Sequence, residues 1–257
     1  MISLKSIIVE GRYDSIVTQL SREMLSIVKD SYSAVNSSNG MYNGVKIFFK
    51  RNEPAPDPDS GQFQEIFFTD VENADIPLEF KLALRVQWRE GFDDYVRGGD
   101  AYIDQADDPA DADTEPYIEI RFVLDPADVP RIYSSVAMDL RDTLRHEIEH
   151  ITQTGWNLKP GKFIASDQDI RRKIQSGNLP AREYFMLPME IPAMIQGLYM
   201  KAKKSKKPFK QIVNQYLENF FYMRDADGNA YLTPDDRDII LAKWREHLPK
   251  LGLRVEL

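Results

Sequence analysis

The chain contains no cysteine. Disulfides and thiolate ligands are therefore excluded, and a metal site here must be built from imidazoles and carboxylates. Histidine is scarce, with three in 257 residues. No apolar run reaches 18 residues and no signal-peptide pattern opens the chain, so no membrane association and a cytoplasmic location are expected. Basic residues are in the minority: 33 Lys and Arg stand against 41 Asp and Glu, a formal charge of -8. Broad nucleic-acid binding needs clustered positive charge, so nucleic acid is not an expected partner. No internal repeat and no linker break the chain. One domain over 1–257 is expected, with a β-rich part with an N-terminal helix at 1–125 and a helical part at 126–257.

What is present has clear periodicity. From Tyr13 to about Lys29, Ile16, Val17, Leu20, Met24, Ile27 and Val28 recur at three- and four-residue steps and predict an amphipathic helix. Strands are predicted at Val45–Lys50, Phe63–Val71, Leu78–Trp88, more weakly Ala101–Asp104, and Tyr117–Leu124. In Leu78–Trp88 the apolar residues alternate strictly with Glu79, Lys81, Ala83, Arg85 and Gln87, which predicts one buried face. Turn signals lie at 37–40, 43–44 and 73–77, and the acidic stretch 105–116 reads as a loop. A helix is predicted from an N-cap at Ser134 or Ser135 to about Gln153, with Gly155 as its stop. Val136, Leu140, Leu144, Ile148 and Ile151 form its apolar stripe. Further helices are predicted at Asp167–Gln175, from Pro188 to about Lys204, at Phe209–Met223, and from the Thr233-Pro234 start to about Leu248. Phe220, Phe221 and Tyr222 are expected in the core.

Two of the three histidines lie in one H-E-x-x-H motif: His146, Glu147 and His150. Residues four apart on a helix share a face, so both imidazoles can reach one metal ion. Glu147, next to the first ligand, can hold and deprotonate a water on that metal. A third protein ligand is then needed. The pattern with a further His six residues on is absent, because Gln153 and Trp156 occupy its Gly and His places. The candidates are Glu190, then Glu183, then the distant His247. Glu190 is set among Leu187, Met189, Ile191 and Ile195, where a carboxylate needs a cationic partner. Pro188 and Pro192 suit the first turn of a helix, which would hold Glu190. A salt bridge to Arg or Lys is the alternative for that carboxylate.

With the strand Tyr117–Leu124, the His146–His150 helix, and Glu190 followed by Ala193, the sequence resembles the zincin metallopeptidases whose third ligand is a Glu on a later helix. The segments His150–Gln153 and Tyr184–Ala193 are similar to small metallopeptidase-like proteins of tailed phages and bacteria. The resemblance covers about residues 117–200. It implies a zincin-like α+β fold with an N-terminal mixed or antiparallel sheet. It also implies Zn2+ bound by His146, His150 and Glu190, Glu147 as general base, and a protein or peptide substrate cut by a metal-activated water. The host cytoplasm or a virion would be its setting if phage-encoded. The alternative is a non-catalytic structural or binding protein, such as a virion or assembly component, on the same scaffold. Tyr117–Leu124 could align a peptide by edge pairing, and Tyr184 or Tyr199 could donate to an oxyanion. The lysines between 201 and 210 read as a solvated helix end.

Overall fold

The computed structural model describes residues 13–35, 41–42, 45–46, 50–51, 64–71, 79–90, 96–103, 116–152, 169–174, 176–224, 228 and 230–257. The expected turns at 37–40, 43–44 and 73–77, nearly all of the acidic loop 105–116, and the Gly155 helix stop lie outside them.

The chain divides into two compact units, residues 15–148 and residues 1–14 with 149–257. The first combines helix α1 (Asp14–Val35) with strands β1 (Met41–Tyr42), β2 (Val45–Lys46), β3 (Lys50–Arg51), β4 (Gln64–Val71), β5 (Phe80–Glu90), β6 (Val96–Ile103) and β7 (Pro116–Leu124). It also holds most of the helix α2 (Val129–Thr152). Together with the helices of the second unit this is a mixed α+β protein.

The main sheet runs β4–β5–β7–β6, with the short β3 beside the end of β5. β5 and β7 are parallel, in the register Leu82↔Ile118 to Trp88↔Leu124. β4 and β6 are antiparallel to their neighbours, so the sheet is mixed. Leu82, Leu84, Val86, Trp88, Ile118, Ile120, Phe122 and Leu124 fall on one face and are buried there. Helices α1 and α2 pack on this face. The Trp88 indole donates to Ser31 Oγ at 3.1 Å, and the Tyr133 hydroxyl donates to the Leu25 carbonyl at 3.1 Å. The predicted apolar stripe of α2, Val136 to Ile151, is buried along its length.

Two expectations fail here. The opposite face of β5 is not open: Ala83, Gln87 and Arg89 are buried, as is Glu119 of β7. Glu119 is held by Arg85 at 3.0 Å and Arg121 at 3.3 Å. An interior strand is covered more completely than alternation alone suggests, and the buried Glu119 beside it is paired. In addition, β7 has no free edge, because β5 and β6 flank it. It cannot add a peptide strand. Among the described residues the outer strand on that side is β6, which begins at Val96, ahead of the expected Ala101.

In the second unit, residues 169–174 are helical, followed by a 3-10 helix (Ala181–Met186), α3 (Glu190–Ser205), α4 (Phe209–Tyr222) and α5 (Pro234–His247). Their core gathers Phe185, Ile191, Ile195, Val213, Leu217 and Trp244. The Trp244 indole donates to the Phe185 carbonyl at 2.8 Å, so the buried ring keeps its polar atom satisfied. Phe220 packs edge-on to Phe185, but Tyr222 is 83% exposed, against expectation. It lies in the last turn of α4, off the apolar stripe. Thr233 caps α5 as predicted, accepting from the Asp236 amide while the Asp236 side chain accepts from the Thr233 amide. Among the described residues no helix is long and apolar enough to cross a membrane.

Candidate metal centre

Helix α2 starts earlier than Ser134. Asp125 holds the turn that leads into it: its side chain accepts from the Ala127 amide at 2.8 Å, and its carbonyl accepts from the Asp128 and Val129 amides at 3.0 and 3.2 Å. Pro130 then sits in the first turn of the helix, where an amide hydrogen would have no helical partner. Ser134 and Ser135 are helix-interior residues.

Near its C-terminal end, α2 sets His146, Glu147 and His150 together. One ligand atom from each lies within 4.8 Å of the others, the one such group among the described residues. Glu147 is buried, and both histidines are partly exposed. Two ligand atoms on one tetrahedral zinc, with bonds of about 2.1 Å, stand about 3.4 Å apart. Side-chain rotation alone could bring the α2 ligand atoms to that spacing.

Glu190 opens α3. The Leu187 carbonyl accepts from the Glu190 and Ile191 amides at 3.0 and 3.1 Å, and Pro192 falls within the first turn, where it breaks no helical bond. The Glu190 side chain is 1% exposed. Its Oε1 stands 3.5 Å from His150 Nε2, long for a hydrogen bond and close to the separation of two ligands on one zinc. Two other donors reach it. The Arg171 guanidinium donates to Oε1, and the Tyr184 hydroxyl donates to Oε2 at 3.2 Å. Arg171 also lies over the Tyr184 ring, 5.0 Å from its centre. The buried carboxylate thus has the cationic partner its setting demands, supplied by the chain itself.

The other candidates lie elsewhere. Glu183 belongs to the separate 3-10 helix, 33% exposed, with Arg182 at 3.6 Å. Helix α3 does not extend back to it. His247 ends α5, and burial, then the charges of Lys250 and Lys243, lower its pKa from the usual 6.5. Tyr184 directs its hydroxyl to Glu190, while Tyr199 packs edge-on to Phe209 with Lys203 over its ring.

Sequence reading missed three residues around this centre. Arg171 is one of several cations in a short helix and carries no motif. Arg97 and Gly99 belong to the part of β6 that the strand pattern did not reach. Arg97 Nη1 meets Asp139 Oδ1 at 3.0 Å and Asp142 Oδ2 at 2.9 Å, tying β6 to α2 one to two turns before His146. Gly99 faces Thr143 and Glu147. Its only sequence signal was the Gly98-Gly99 pair, unusual inside a strand. No protein family, curated protein or solved structure matches this chain.

Proposed function

We propose that the protein is a zincin-like, zinc-dependent metallopeptidase that hydrolyses peptide bonds. The observation that carries this reading is the 3.5 Å approach of Glu190 Oε1 to His150 Nε2, on a helix that presents His146 one turn earlier. Two imidazoles and one carboxylate form a donor set suited to Zn2+, which in a catalytic site keeps a water as its fourth ligand. His146, His150 and Glu190 would hold the ion. When bound, zinc would lower the pKa of a coordinated water and polarise the scissile carbonyl. Glu147 would take the water proton and deliver it to the leaving amine. An extended peptide would run along β6, the outer strand, by backbone hydrogen bonding.

Arg171 favours a second reading. A carboxylate already neutralised by a guanidinium is also what a metal-free structural or binding protein would show, such as a virion or assembly component. The test compares wild type with Glu147→Gln for zinc content and peptide cleavage. The first reading expects about one zinc in each protein, with cleavage falling by about 10²- to 10⁴-fold in the variant. No zinc in the wild type, or no cleavage in either protein, supports the second.

A further inference from the structure

We infer that Gly99 is a positioning residue for Glu147: the side chain missing from β6 is what allows the Glu147 carboxylate to lie where it does. This rests on the metallopeptidase reading above. A Cβ built at Gly99 would stand 2.4 Å from Thr143 Cγ2, 2.8 Å from Glu147 Oε1 and 3.2 Å from Glu147 Cγ. The first two distances are below any van der Waals contact. Gly98, one residue earlier, would meet nothing within 4 Å. Neither glycine has a positive φ, so the backbone does not require glycine here. The requirement at 99 is the space itself.

The two obstacles respond differently. Thr143 is β-branched and held in a helix, so its methyl group has little freedom to turn away. Glu147 is long and can rotate. An alanine at 99 would therefore strain the fold through Thr143 and displace the carboxylate of Glu147. The two effects separate when Thr143 becomes serine, which removes the methyl and keeps the hydroxyl.

The experiment uses the full chain as wild type, Gly98→Ala, Thr143→Ser, Gly99→Ala with Thr143→Ser, and Glu147→Gln. Melting temperature, zinc affinity by chelator competition, and acetohydroxamate affinity of the zinc-loaded protein are measured, with kcat and KM for a peptide. A hydroxamate donates a hydrogen bond to a carboxylate in the place of Glu147, so the probe needs no turnover. The expected result for the double variant is the melting temperature and zinc affinity of Thr143→Ser. Its acetohydroxamate binding falls about tenfold, the loss of one hydrogen bond to a charged group. Its kcat falls toward that of Glu147→Gln while KM changes little, and Gly98→Ala behaves as wild type. Zinc uptake with hydroxamate affinity unchanged in the double variant overturns this inference alone. A wild type that takes up no zinc overturns the metal reading, and this inference with it.

Discussion

Two buried glutamates have different neighbours among the described contacts. Glu147 lies in a slot left by an absent side chain, with Gly99 opposite it. Glu190 lies among donors: Arg171 and Tyr184 hydrogen-bond it, and His150 stands beside it. The donors around Glu190 stabilise its anion and fix its direction. Burial is similar in the two places, so what distinguishes them is their neighbours.

The comparison can be broken at several points. The largest effect is expected at Arg97→Met. It removes the cation shared by Asp139 and Asp142, which are 8% and 6% exposed. Removing one partner from such a cluster costs about 3 kcal/mol. Urea unfolding measures it. A loss near zero would mean that β6 is held against α2 by packing, not by this cluster.

Arg171→Met acts on the other glutamate. Arg171 is 42% exposed, so solvent screens part of the pairing and the expected loss is smaller, about 2 kcal/mol without metal. If Glu190 is a zinc ligand, saturating zinc restores the melting temperature and the variant binds zinc more tightly than wild type. If Glu190 is only an ion-pair partner, zinc restores nothing.

Thr233→Ala tests a site remote from both glutamates in sequence. Losing the cap of α5 costs about 1 kcal/mol, and the zinc-dependent gain in melting temperature should be unchanged. The same site has an acid dependence. Burial pushes Asp236 upward, but hydrogen bonds from Thr233 and Arg182 outweigh it and hold the carboxyl below its usual 3.8. Its contribution is therefore present above about pH 3.8 and lost as pH falls through the lowered value. Thr233→Ala should reduce that acid-limb loss in a melting series.

The smallest effect is expected at His247→Gln. Burial, then Lys250 and Lys243, lower the His247 pKa below 6.5. The folded state then favours the neutral ring, and stability falls as pH drops below 6.5 toward the lowered value. The variant should flatten that part of the melting-temperature profile and leave zinc affinity unchanged, since His247 is not a proposed ligand.

Much of the framework was legible. The three- and four-residue spacing found α1, although it continues to Val35, beyond the expected Lys29. Alternation found β5, β4 lies within the predicted strand Phe63–Val71, and the apolar stripe of α2 is the predicted one. The start of β6 was not legible, because Arg97, Gly98 and Gly99 carry no alternating signal. Their reasons for being in a strand lie on α2. The start of α2 was misplaced because Pro130 reads equally as a turn residue and as a first-turn residue.

Sequence by itself set His146 and His150 on one helical face, because a turn of helix needs only local backbone geometry. It also marked Glu190 as a carboxylate needing a cation, since its neighbours in the chain are apolar. Only the tertiary structure decided which cation stands beside Glu190, that His150 comes within 3.5 Å of it, and that a glycine faces Glu147. Those contacts join segments far apart in the chain. Periodicity fixes a residue's neighbours within a turn, whereas contacts between distant segments are set by how the elements pack.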